Sequence, residues 1–111
     1  LKKNLNLDGT AQEIFNRANK IIKSMIKIII KKKIIPIQQE GKTTIFKRRT
    51  PKMSQINNIN SIVNLYDHIR MLDAEGYPKA YIETEFFKFE FTKASIKSEK
   101  IILSNVRIIK K

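Results

Sequence analysis

At 111 residues, with 41% hydrophobic and 30% charged side chains, the chain is long enough for one small domain with a core and too short for two. The composition is that of a globular protein rather than a disordered one, and the absence of cysteine excludes a disulfide framework, a thiol nucleophile and a thiolate zinc site. The net charge of +13 is uneven: residues 1–52 carry 14 Lys or Arg against 3 Asp or Glu, and residues 53–111 carry 9 against 7, so an anionic partner is expected to meet the first half.

The chain opens at Leu1 with "LKKNLNL", which reads as the middle of a segment, so an upstream portion is expected. The first start signal is "DGTAQEIF", in which Thr10 and Glu13 have the spacing of a capping box; a helix is predicted from Ala11. Ala11, Ile14, Phe15, Ala18, Ile21, Ile22, Met25, Ile28 and Ile29 then recur at three- and four-residue intervals. Arg17, Lys20, Lys23, Lys27 and Lys31 fall on the other side. This cationic face has three readings: a solvated face, a phosphate-contacting face, or a helix lying on a membrane surface. Lys31, Lys32 and Lys33 suit the negative end of the helix dipole, and Pro36 forbids continuation.

"IIPIQQEGKTTIFKRRTP" has a proline near each end and Gly41 inside, the pattern of an extended connector with a short strand at residues 43–47. Lys47, Arg48 and Arg49 are its candidate phosphate or carboxylate contacts, because guanidinium groups recognise such anions bidentately. The alternative is that one of the arginines pairs with Asp67 or Asp73.

Ile59, Ile62, Val63, Tyr66, Ile69 and Leu72 mark a second helix over residues 61–73, closed by Gly76 and Pro78. Beyond it the period changes to two. Phe87, Phe89 and Phe91 alternate with Lys88, Glu90 and Thr92, and "KAYIE" and "KIILSNVRII" supply two further strands. The expected fold class is α+β: a long amphipathic helix, an extended connector, and a second helix packed on a small antiparallel sheet.

Catalytic machinery is sparse. His68 is the only histidine and reads as a partly exposed helix residue; Glu83, Glu85 and Glu90 read as exposed strand carboxylates rather than an acid–base pair. Three glycines cannot build a phosphate cradle, and no serine has the setting of a nucleophile elbow. The apolar runs are far short of the roughly 18 residues of a membrane span, the charged opening residues do not read as a signal peptide, and a cytoplasmic location is the default.

Three stretches, "DGTAQEIFNRANKII", "PIQQEGKTTIFKRRTP" and "LYDHIRMLDAEGYPKAYI", together resemble the C-terminal part of the folate-dependent formyltransferase family. That family includes the methionyl-tRNA and sugar-amine formyltransferases. The resemblance covers residues 7–93, and "FKRRTP" and "IRMLDAEGYPKAYI" are its most specific pieces.

The resemblance implies a division of the chain. Residues 1–40 would end a catalytic domain, residues 41–52 would connect, and residues 53–111 would form a small C-terminal α+β domain. It also implies an upstream partner domain that uses 10-formyltetrahydrofolate and carries an Asn, His and Asp constellation. In the intact relatives the acceptor's amine attacks the formyl carbon, His and Asp assist proton transfer, and Asn stabilises the oxyanion.

No stretch here matches that constellation, so this chain alone is expected to be inactive, to bind no cofactor and to contribute acceptor contact. Two acceptors fit. The basic charge suits initiator tRNA, whereas the wording of the two specific pieces and the short tail after Lys93 lean to a nucleotide-linked amino sugar. A free-standing basic module that binds RNA or another polyanion, or an inactive remnant, are the readings of a different class.

Overall fold

The computed structural model describes all 111 residues and bears out the α+β expectation. Helix α1 runs Ala11–Lys32. Its start is fixed as the spacing predicts: the Glu13 amide donates to Thr10 Oγ1 at 3.3 Å and the Thr10 amide donates to Glu13 Oε2 at 2.8 Å, so two otherwise unpaired amides are satisfied reciprocally. Lys33 ends the helix in the left-handed region at φ 42°.

From Lys33 to Thr50 no regular element forms, and the connector is exposed along its length. The strand expected at residues 43–47 is therefore absent. The residues have strand composition, but no neighbouring strand offers its amides and carbonyls to them. A short 3-10 turn, Pro51–Ser54, follows, with proline in its first position, where a missing amide costs nothing.

Helix α2 spans Ile62–Arg70 and is capped by Ser61, whose Oγ accepts the Asn64 amide at 3.3 Å. It stops three residues before the predicted end because the last amides switch to tighter partners: Leu72 N donates to Ile69 O and Asp73 N to Arg70 O, both at 3.2 Å.

Three strands, β1 (Ala80–Glu83), β2 (Phe87–Ser98) and β3 (Ile101–Lys110), form an antiparallel meander in the order β1-β2-β3. Ala80 faces Phe91 across one ladder, and Phe91 faces Val106 across the other. Strand β2 runs well past the phenylalanine alternation. It crosses a bulge between Thr92 and Ser95, where Lys93 adopts φ 51° and one residue is left over opposite β3.

The core is small and lies where α2 meets the sheet. Ile69, Leu72 and Ala80 are buried together, with Ile56, Leu65, Phe91 and Ala94 packed around them. Residues 51–56 are strapped beside β1, the Ile56 amide donating to Tyr81 O at 2.8 Å.

The beginning of α1 is fastened to this body. Ala11 and Ile14 are buried, Gln12 N donates to Asp73 O at 3.2 Å, and Glu75 N donates to Gln12 Oε1 at 2.9 Å. Arg70 Nη1 reaches back to Leu7 O at 2.7 Å and Gly9 O at 2.9 Å, while its Nε donates to Asp67 Oδ1 at 2.6 Å. Gly9, at φ 84°, is suited to this close pass: an added Cβ would meet the Glu13 carboxylate of the capping box. Asp73 ties three parts together, since its carbonyl holds Gln12, its Oδ2 accepts the amide of the bulge residue Lys93 at 2.8 Å, and its Oδ1 lies 3.5 Å from Lys79 Nζ. Past these first turns the apolar stripe of α1 loses its cover: Ile22, Ile26 and Ile29 are each about half exposed.

Candidate functional site

The largest cavity is a groove of about 550 Å³ between the end of the connector and α2. Arg48, Arg49, Thr50 and Pro51 form one wall, Asp67, His68, Met71 and Leu72 the other, and Tyr77 and Pro78 close one end, with Ser54 between the walls. The 3-10 turn positions the first wall. Its last amides fold back, Met53 N onto Thr50 O at 3.0 Å, and Arg49 Nη2 donates to Met53 O at 3.0 Å, which holds the arginine against the turn it precedes.

His68 is set by contact across the groove. Its Nε2 lies 3.1 Å from the carbonyl oxygen of Ser54, a fully buried residue. A carbonyl only accepts, so Nε2 carries the proton and Nδ1 is the free ring nitrogen. The adjacent carboxylate of Asp67 is taken by Arg70, so no His–Asp pair forms. Gly76, at φ 74°, turns the chain so that Tyr77 stands at the end of the groove, its ring 5.6 Å from that of Phe15 on α1. The histidine is thus a partly exposed helix residue, as expected, and forms part of the groove wall.

Of the three candidate cations, Arg48 and Arg49 line the groove and Lys47 lies outside its walls on the exposed connector. None pairs with an acid: Asp67 is bound to Arg70 and Asp73 faces Lys79, which removes the alternative in which an arginine is neutralised by either. Arg48 makes no hydrogen bond or ion pair at all, so its fork of donors is free for an anion. On α1, Lys20, Lys23, Lys27 and Lys31 are exposed as expected, but Arg17 is occupied. Its Nε donates to Asn6 O at 3.1 Å and its Nη2 to Asp8 O, so it holds the incoming chain rather than solvent or ligand.

The three strand carboxylates do not converge on a shared site. Glu83 faces Lys111 Nζ at 3.4 Å. Glu90, expected to be exposed, is 8% exposed and accepts from Lys88 Nζ at 3.0 Å and Arg107 Nη2 at 2.6 Å. Burial pushes its carboxyl up, but the hydrogen bonds from Arg107 and Lys88 and their charges outweigh it, so the group sits below the usual carboxylate range. Lys88 also lies 4.4 Å above the Tyr81 ring, completing a polar cluster on the sheet. Glu83 and Glu90 are structural: each is committed to a cation. No helix is long and apolar enough to cross a membrane, and no group of three His, Asp or Glu has the arrangement of a metal site.

The profile of a family described as methionyl-tRNA formyltransferase, C-terminal domain, matches residues 51–109. Among solved structures the chain is similar to a methionyl-tRNA formyltransferase from Clostridium thermocellum, at 45% identity and a TM-score of 0.93. That likeness covers 100% of this chain and 49% of the other, so the chain spans about half the length of this relative. No match is found among curated proteins.

Proposed function

The chain belongs to the family of methionyl-tRNA formyltransferase C-terminal domains, and from that premise we propose that it serves as the acceptor-holding part of a formyltransferase that uses 10-formyltetrahydrofolate. The reading rests above all on a likeness that runs over every residue of the chain at 45% identity. In this division residues 1–40 end the catalytic domain, residues 41–52 connect, and residues 53–111 form the C-terminal domain. A family match that starts at residue 51 supports the second boundary.

Chemistry belongs to the upstream half. The residues here do not fit the folate cofactor's reacting end: His68 is bound to a carbonyl and lacks a carboxylate partner, and no cluster replaces the Asn, His and Asp of the family. When bound upstream, the cofactor supplies the formyl carbon that the acceptor's amine attacks. What this chain contributes is positive surface, with Lys47, Arg48 and Arg49 on the connector and the exposed lysines of α1 neutralising acceptor phosphates. Initiator tRNA is the acceptor this favours, because a long polyanion uses charge spread over a helix face and a connector, whereas a nucleotide-linked amino sugar offers only a short run of phosphate.

A chimera carrying this chain in place of the matching half of the Clostridium relative tests the reading. It is expected to formylate initiator methionyl-tRNA, and substitution of Lys47, Arg48 and Arg49 by alanine is expected to raise the KM for tRNA. The dependence of log affinity on log salt should flatten by about one for each phosphate that is no longer neutralised. A folded chimera that formylates a nucleotide-linked amino sugar and not tRNA would overturn the acceptor. Tight, monomeric RNA binding by the chain with no transfer activity in the chimera would favour a free-standing RNA-binding module instead.

A further inference from the structure

The groove has a composition that charge alone does not require. One side offers the unpaired fork of Arg48, and Asp67, the only acid on its walls, is paired through Oδ1 with Arg70. The rest of the lining is mixed: Arg49, Thr50 and Ser54 are polar, while Met71, Leu72 and Pro78 lie beside the half-exposed ring of Tyr77 and form an apolar floor. The Nδ1 of His68, the ring nitrogen turned away from Ser54 O, makes no hydrogen bond and is available as an acceptor. At about 550 Å³ the volume is in the range of sites for small ligands. A bidentate donor, an apolar and aromatic floor, and one acceptor match a phosphate, a planar base and a donating hydroxyl or amine group.

We infer that the groove is a nucleoside-phosphate site, in which Arg48 takes the phosphate, Met71 and Tyr77 take the base, and His68 Nδ1 accepts from the nucleoside. Inorganic phosphate uses only the first of these, and a plain polyanion-binding surface needs none of the apolar floor. The nucleotide has two sources with the same chemistry: one unpaired nucleotide of an acceptor RNA, or a free nucleotide-linked sugar. Assigning it to RNA rests on the function proposed above; the chemistry of the groove does not.

The test is a titration of the isotope-labelled 111-residue chain with AMP, UDP-glucose and inorganic phosphate, followed through the resonances of Met71, Tyr77 and the His68 ring. AMP is expected to shift all three and to bind more tightly than inorganic phosphate. Arg48→Ala should weaken AMP about tenfold, the effect of removing one charge-assisted hydrogen-bonded pair, with Arg48→Lys recovering part of it and the melting temperature unchanged. No shift with AMP, equal affinity for phosphate, or full AMP affinity in Arg48→Ala would each overturn the site. Initiator tRNA that displaces AMP assigns the groove to RNA. UDP-glucose binding with no displacement of AMP by tRNA upholds the groove while removing the tRNA acceptor. Undiminished tRNA binding by a chain that takes no AMP removes the groove and leaves the acceptor.

Discussion

The first fifty residues and the remainder are organised on different principles. The α2–sheet body from Pro51 onward is held by long-range ladders, a buried cluster at Ile69, Leu72 and Ala80, and ion pairs that leave it close to neutral. The α1–connector part carries most of the excess positive charge, buries only Ala11 and Ile14, and owes its order to bonds within one helix and to a fastening at that helix's start. Most of a helix's stability in a protein comes from packing of its amphipathic face, so α1 leans on whatever it is fastened to. The contrast shows how a small chain separates its tasks: one part supplies a rigid platform, and the other displays charge.

The strongest way to break the contrast is Ile69→Ala, which removes the centre of a small core and should cost about 3 kcal/mol. Loss of the sheet and of α1 helicity in one transition, followed by circular dichroism, would show the helix to depend on the body. Helical signal that outlasts the sheet would make the two parts independent.

Glu90→Gln should cost about 1–2 kcal/mol, since it takes the charge from two hydrogen-bonded cations on one side of the sheet. It has a signature in pH. The folded carboxyl sits below its ordinary range, so its contribution is complete above that range and is lost as pH falls through the lowered value. Acid melts of the parent should therefore lose stability over that window, and the glutamine variant should lose less.

Arg70→Ala frees Leu7 O, Gly9 O and Asp67 at once, and should cost about 1–2 kcal/mol. Amide exchange is expected to quicken at residues 10–14 while β2 and β3 keep their protection, which separates the fastening from the platform. The smallest effect is Thr10→Ala, about 1 kcal/mol, through loss of one side of the capping box. Thermal melts on Thr10→Ser, which keeps the hydroxyl, should recover most of it.

What is legible in the sequence follows the range of the interactions. The capping box at Thr10 and Glu13 is local and stands in the structure as expected; the alternation through Phe91 marks a strand that does form, but its faces differ from the expected pattern, since Phe87 is exposed and Glu90 buried. The connector strand at residues 43–47 does not form because strand composition does not supply a partner. The length of β2 is hidden because the Lys93 bulge breaks the alternation on which a strand is recognised.

In the groove, Arg48 and Arg49 are visible from the sequence as an arginine pair beside a proline. The setting of His68 is not, because it depends on the carbonyl of Ser54, fourteen residues away. Glu90 reads as an ordinary surface acid until the register places Arg107 directly opposite it.

The fastening at Arg70 makes α1 a lever. A helix of 22 residues is about 33 Å long, and it is gripped only near its first turn, so a rotation of about 10° at the grip swings its far end by about 6 Å. Lys31 and Lys32 ride on that far end, and the connector begins there. Small changes in packing around Leu7, Gly9 and Asp73 are thereby magnified into large changes in where the positive tip of the molecule points.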